Sequence, residues 1–260
     1  MKDFDGILNI IKPAGISSFQ CLSVVKRRLW EQMPADTRPK FKNWKVGHLG
    51  TLDPAASGVL VLLCGKATKL NQQLSGGTKV YRSVFTFGIE TDTLDREGKV
   101  TKQSNVIPTK QQIEAILPSM VGDVEIEVPK FSAVHINGQR AYDMARKGVN
   151  FIPPKKVVSI KRFKLLGDVF PCGDEQFQKL CKSFSNFAFC ILHSALFEIE
   201  CETGTYIRSL AKLIAQKLGT VAYCAEIIRT RVGEFKIEDA KNLDEVTIED
   251  IITTQNMDIR

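Results

Sequence analysis

The sequence is poor in the residues that metal and disulfide chemistry require. Its 260 residues include three histidines, His48, His135 and His193, too few and too scattered for a zinc or di-metal centre, so no metal is expected. The seven cysteines, at 21, 64, 172, 181, 190, 201 and 224, are odd in number and contain no C-x-x-C pair. That excludes a disulfide framework and leaves reduced packing residues, with Cys64, Cys190 and Cys201 placed on apolar strands. The longest apolar run, Val59 to Cys64, falls far short of the roughly 20 residues that cross a bilayer, so no membrane partner is expected. The opening MKDFDGILNIIKP sets acids before a short apolar stretch, unlike a signal or transit peptide, and a cytoplasmic location follows as the expectation. No Gly-Lys-Ser/Thr follows a glycine-rich turn at phosphate-loop spacing, and no G-x-S-x-G occurs, which removes the simplest nucleotidase and serine-hydrolase readings. Internal repeats and low-complexity segments are also lacking.

What remains is the composition of an ordinary folded domain, 43% hydrophobic and 25% charged. A length of 260 residues fits one domain, 1–260, carrying an insertion. The net charge of +7 favours a polyanionic partner, and its distribution says more than its sum. Between Lys26 and Lys45 stand seven basic residues and two acidic ones, interleaved with Trp30, Phe41 and Trp44. A second basic stretch, PPKKVVSIKRFK, runs from Pro153 to Lys164. Either could contact phosphates, with aromatics for stacking, or could be a solvated segment whose aromatics pack inward.

Hydrophobic periodicity predicts a strand over residues 6–11, ended by Lys12-Pro13-Ala14-Gly15, then a helix capped by Ser17 or Ser18 that buries Cys21, Leu22, Val25 and Leu29. Residues 33–43, with two prolines, read as a long loop. A buried strand from Gly58 should pass into a helix after Gly65, and KVYRSVFTF at 79–87 alternates as a strand. Thr109 caps a helix over 109–120; an irregular piece fills 125–137, and a short helix follows near 141–147. Strands are expected at 157–166, 187–201 and 222–229, with a helix between the last two and another near 247–253. Strands in adjacent, antiparallel-looking sets with helices between them make the class α+β, a mixed, largely antiparallel sheet with flanking helices.

The densest local signal is VGHLGTLDPAASGVL at 46–60. Gly47, Gly50, Pro54 and Gly58 punctuate a tight loop that holds one histidine, His48, and one aspartate, Asp53. Glycines let a backbone approach a ligand, and a strand at the loop's end can fix a carboxylate rigidly. An Asp-Pro in such a loop also serves as a plain turn in which the aspartate caps its own backbone. The loop's chemistry leaves both readings open.

GHLGTLDPAASGVL resembles the signature of the TruB family of pseudouridine synthases, and five further segments resemble that family in its own order. They are GILNIIKPAGISS, KVYRSVFTFGIETDTLDREG, VPKFSAVHINGQRAYDMARKG, GTYIRSLAKLIAQKLG and EIIRTRVGEF, spanning roughly residues 6 to 235. The resemblance implies the pseudouridine synthase catalytic fold, with an RNA-gripping insertion at about 125–154. It implies Asp53 as the catalytic carboxylate, Tyr81 as the aromatic that stacks on the target base, and Arg208 as the cation that pairs with Asp53. It further implies that Asp95 anchors Arg208, that Tyr206 and Ile228 line the base pocket with Ile228 in place of a leucine, that His48 touches the RNA, and that Lys12 and Pro13 support the site. The implied activity is isomerisation of the uridine at position 55 in the T-arm of tRNA, without a cofactor, by a monomer.

These residue types suit that chemistry. Isomerising uridine needs a carboxylate near the sugar, an aromatic face to hold the detached base, and a cation that positions the carboxylate. Without the resemblance, Tyr81 reads as a core aromatic and Arg208 as a surface ion pair. Many family members continue into a C-terminal PUA domain, which here is expected to be missing or reduced, with the basic loop at 26–45 as partial compensation through Arg38, Lys40 and Lys42. Two alternatives stand beside the lead: a non-catalytic tRNA-binding or folding protein on the same scaffold, and a glycoside hydrolase pairing Asp53 with Asp95.

Overall fold

The structure is a computed structural model that describes residues 4–136, 138–171 and 192–253. The chain forms two compact units, Met1–Val80 with Ile228–Arg260, and Tyr81–Ile227.

The first unit begins with β1 (Gly6–Lys12), which pairs antiparallel along its whole length with β3 (Ser57–Cys64), from Gly6 opposite Cys64 to Lys12 opposite Gly58. Both strands are apolar on both faces because both faces are covered. Proline and glycine at 13 and 15 end β1. Ser17 then caps α1 (Ser18–Gln32) in a full capping box with Gln20, satisfying amides that the first helical turn leaves without partners. The predicted face of α1, Cys21, Leu22, Val25 and Leu29, packs on Leu8, Ile10, Leu60 and Leu62. Residues 33–45 form turns without helix or strand, and β2 (Val46–His48) pairs with β3.

The helix expected after Gly65 is a 3-10 segment, Gly65–Leu70, followed by one turn of α2 (Asn71–Leu74). The Thr68 hydroxyl donates to the Gly65 carbonyl at 2.7 Å, a local bond that competes with α-helical pairing. The chain leaves this unit within β4 (Lys79–Phe87).

The second unit adds the hairpin of β5 (Ile89–Thr91) and β6 (Val100–Gln103), then α3 (Lys110–Ile116) with a Thr109–Gln112 capping box. Next come β7 (Gly122–Glu127), the small β8 (His135–Ile136) and β9 (Gln139–Arg140) pair, α4 (Ala141–Arg146), β10 (Lys155–Pro171) and β11 (His193–Cys201). The unit closes with α5 (Ile207–Lys217) and the start of β12 (Ala222–Val232). Its strand order is β12-β4-β11-β10-β7, and Phe85, Phe163 and Phe197 fill its core with ring centroids 4.8 to 6.3 Å apart.

After β12 the chain adds β13 (Phe235–Lys236), β14 (Lys241–Asn242) and β15 (Ile252–Thr253) to the first unit, whose order is β14-β1-β3-β12. Parallel pairs, β1 with β14 and β3 with β12, occur beside antiparallel ones, so the α+β class with a mixed, largely antiparallel sheet holds.

Two local expectations differ from the structure. Residues 125–127, expected to be irregular, end β7, because Val124 and Ile126 alternate with exposed acids across the sheet. Near 247–253 a capping box of Thr247 and Asp250 starts only a 3-10 turn, Ile248–Asp250, before β15. The β-branched run Ile251-Ile252-Thr253 favours the strand. Of the strand expected at 187–201, residues 187–191, with Cys190, lie outside the described residues, as do Cys172 and Cys181.

Candidate active site

Asp53 sits in the first unit, on the loop between β2 and β3, and that loop is fastened by buried side chains. Lys12 and Arg229 are each 0% exposed. The Lys12 ammonium donates to the carbonyls of Ile16 at 2.6 Å, Pro13 at 2.8 Å and Pro54 at 3.2 Å, while the Gly15 amide adds a second bond to Pro54 O at 2.8 Å. The turn after β1 and the residue after Asp53 are thereby locked together. On the other side of Asp53, the Ser18 hydroxyl exchanges two bonds with Leu52, accepting from its amide at 2.8 Å and donating to its carbonyl at 3.0 Å.

Arg229, on β12, donates through Nε to Val59 O at 2.8 Å, through Nη2 to Gly50 O at 3.0 Å and through Nη1 to Thr51 O at 3.5 Å. Two glycines make this geometry possible. Gly50 has φ +80° and lies beside the Lys79 and Arg229 side chains, and Gly58 has φ +105° where a Cβ would overlap the Arg229 main chain. Three cations, Lys12, Lys79 and Arg229, all withdrawn from water, thus surround one short loop. Their field favours negative charge.

His48 lies at the start of this loop with Nδ1 buried and without a hydrogen-bond partner among the described residues. Burial, reinforced by the nearby positive charge of Arg229, pushes its pKa below the ordinary histidine value. Cys21 is pushed up to about 11 by burial, against the opposing pull of Lys12, and Cys64 to about 12 by burial and by Asp5. Both thiols are inert packing groups.

The second unit holds Tyr81, Asp95, Tyr206 and Arg208. Tyr81 is a buried residue of β4, and Tyr206 is the half-exposed residue that precedes α5. Arg208 is 4% exposed, which excludes the surface ion pair that its helix alone suggested. Its Nη1 donates to Thr93 O at 2.7 Å and its Nη2 to Phe131 O at 3.1 Å, and Nη1 lies 3.6 Å from Asp95 Oδ2. The other oxygen of Asp95 accepts from the Thr93 hydroxyl at 2.6 Å and the Glu97 amide at 3.0 Å. Between them Leu94 has φ 61°, a left-handed conformation costing a bulky residue roughly 1 to 2 kcal/mol. The Cys224 amide, which donates to Leu94 O at 3.0 Å, helps hold that turn. Strain of this kind gathers at functional sites.

Sequence reasoning gave no role to Arg229 or Leu94, and offered Ser18 only as a helix cap, a place that Ser17 takes. Arg229 was visible as the first of two arginines in EIIRTRVGEF, in step with Ala225 and Ile227 on the buried face of the strand. In that segment the spacing L-x-R-x-x-x-G-x-F, with Arg229, Gly233 and Phe235, aligns the leucine with Ile227. Ile228, the position first assigned to it, lies one residue further on and pairs with Ser57. Among the described residues no three His, Cys, Asp or Glu side chains gather as metal ligands would.

The family model for the TruB family pseudouridylate synthase N-terminal domain matches residues 38–207. The chain belongs to the TruB family. Relatives include the tRNA pseudouridine synthase B of Caldicellulosiruptor saccharolyticus, 36% identical over 97% of this chain and 76% of that protein. The protein of the same name from Caulobacter vibrioides is 38% identical over 88% of this chain and 64% of its own length. Among solved structures, a chain of a Cbf5-Nop10-Gar1 complex superposes with a TM-score of 0.61 at 23% identity, covering 94% of this chain and 54% of that one. This TruB-family chain therefore shares its fold with a protein of very different sequence, and it is a pseudouridine synthase by family.

Proposed function

We propose that the protein isomerises a uridine of tRNA, the one at position 55 of the T-arm, with Asp53 as the group that initiates reaction at the sugar. The observation that carries this reading is the fastening of the Asp53 loop by two fully buried cations, Lys12 and Arg229, which direct their donors to main-chain carbonyls. A carboxylate that only capped its own turn would need no such scaffold. In the reaction the N1–C1′ bond of the nucleotide breaks, the base turns in its pocket, and a C5–C1′ bond forms while C5 loses a proton and N1 gains one. Nothing is oxidised or reduced, so no cofactor is required.

In this reading Tyr81 stacks on the extruded base, Tyr206 and Ile227, which takes the leucine position first given to Ile228, line its pocket, and Arg208 pairs with Asp53 while Asp95 and the Leu94 turn hold Arg208. Lys12 and Pro13 support the loop, and neutral His48 contacts the RNA. Extruding the base costs a few kcal/mol, offset by stacking and phosphate contacts. The segment 125–154 grips the T-arm as part of a single catalytic domain, and the protein works as a cytoplasmic monomer. Incubating wild type and Asp53→Asn with unmodified T-arm RNA and analysing the nucleosides tests the assignment. Pseudouridine from wild type alone is expected. Free uracil would show a hydrolase, and binding without product from wild type would show an RNA-folding protein.

A further inference from the structure

At the far end of the hairpin that carries Asp53, the first unit contains a groove of about 550 Å³ that the isomerisation chemistry does not use. Pro39 and Trp44 of the 33–45 loop form one wall, and the 3-10 segment after β3 forms the other. Lys45, Lys66 and Lys69 are exposed along it. Asp5 is paired to Lys66 at 3.0 Å, whereas Lys45 and Lys69 have no carboxylate partner among the described residues. The groove therefore sets Pro39 and Trp44 beside the polar side chains of Thr37, Asn43 and Thr68 under a rim of lysines, an arrangement that accepts an RNA strand by its phosphates while leaving sequence unread.

The loop that builds the wall is held in shape by its own side chains. Trp30 donates through Nε1 to Pro39 O at 2.7 Å, Arg38 stacks on the Trp30 ring at 4.3 Å, and Lys26 lies over the Phe41 ring at 4.4 Å. Trp30 and Phe41 themselves meet edge to face at 5.6 Å. Trp30, Phe41, Lys26 and Arg38 of that basic, aromatic stretch are thus engaged with one another and shape the wall, while Lys40 and Lys42 stay exposed and Lys45 and Lys69 line the groove.

Position gives the groove its meaning. Asp53 precedes β3 by four residues, and Lys66 follows it by two. The eight residues of β3, at roughly 3.3 Å each, place the two sites about 25 Å apart. A nucleotide seated at Asp53 cannot reach the lysines, so an RNA that occupies both places does so with two different parts of its chain.

We infer that the groove bounded by Pro39, Trp44, Lys45, Lys66 and Lys69 is a second RNA-binding subsite, which takes the sugar-phosphate backbone of the substrate away from the reacting uridine. This rests on the isomerase reading above. Because both contacts stand on one hairpin, the second engages an RNA already tethered by the first and strengthens binding through effective concentration.

The test compares wild type with Lys45→Glu/Lys69→Glu on two RNAs: full-length unmodified tRNA, and a T-arm hairpin of four base pairs, whose short A-form stem does not span the distance to the groove. Affinity is measured across a salt series and turnover under saturating RNA, with equal thermal midpoints confirming that both proteins are folded. The variant is expected to bind tRNA about tenfold more weakly, with the slope of log affinity against log salt reduced by about 2. Hairpin affinity and kcat on both RNAs should stay within about twofold. An unchanged tRNA affinity and salt slope would overturn the subsite, and so would an equal loss on the hairpin, which would mark a general charge effect. Failure of the isomerase reading looks different: wild type binds both RNAs and forms no pseudouridine, while the affinity ratio still decides whether the groove holds RNA.

Discussion

Arg229 and Arg208 are both withdrawn from water, yet the two units use them differently. Arg229 sends three side-chain bonds to main-chain carbonyls of β3 and of the loop before Asp53. Arg208 divides its guanidinium between two carbonyls and the carboxylate of Asp95, on a turn that carries the left-handed Leu94. The first is a rivet between a strand and a loop. The second is a positioned charge, held by a turn that stores strain. Two buried arginines are thus held in different ways, one wholly by main-chain carbonyls and the other partly by a carboxylate.

Removing the rivet should have the largest effect on stability. Arg229→Met keeps the length and apolar stem but leaves Val59, Gly50 and Thr51 carbonyls without their donor, at a cost of about 3 to 5 kcal/mol. Denaturant unfolding measures it. A loss below about 1 kcal/mol would mean that the three carbonyls find other donors, and the contrast with Arg208 would collapse.

A smaller loss of stability and a sharper loss of activity are expected from Arg208→Lys. Lysine keeps the charge but cannot reach Thr93 O, Phe131 O and Asp95 together as a planar fork does. Stability should fall by about 1 to 2 kcal/mol, while kcat falls about 100-fold, since a displacement near 1 Å is enough for that. KM should change little. An Arg208→Lys enzyme with wild-type kcat would show that charge alone matters and that the forked attachment is incidental.

How much of this was written in the sequence differs between the two regions. The β1-turn-α1 segment was legible because its signals are local: an apolar run, Pro13 and Gly15, the Ser17 cap, and a buried face at helical spacing that α1 reproduces. The Asp53 loop was legible as a place, through its glycines, but its fastening was not. Lys12 and Pro54, or Arg229 and Gly50, are joined across 42 and 179 residues, and periodicity carries no information over such separations. Leu94 was invisible for another reason, since nothing about a leucine marks it for a left-handed backbone. The turn around it dictates that conformation from outside. The late 3-10 turn was misread because Thr247 and Asp250 form a genuine capping box that the following β-branched residues do not extend.

The subtlest consequence of the rivet concerns His48. Its imidazole is kept neutral in the fold by burial first and by the charge of Arg229 second, so its folded pKa lies below its value in the unfolded chain, ordinarily about 6.5. Below that pH the unfolded chain takes up a proton that the folded protein refuses, and stability declines as pH falls, while above it the group contributes no pH dependence. Unfolding midpoints measured from pH 7.5 to 5.5 should therefore fall more steeply for wild type than for His48→Gln. Proton NMR of the imidazole separates the two causes. In Arg229→Met, held near 10 °C where a weakened fold is close to its most stable, the His48 pKa should rise toward its ordinary value because one positive charge has gone. In Arg208→Lys, which removes no charge, it should stay where it is. Equal shifts in both variants would mean that His48 responds to a general loosening of the protein, and the difference drawn between the two arginines would have no electrostatic content.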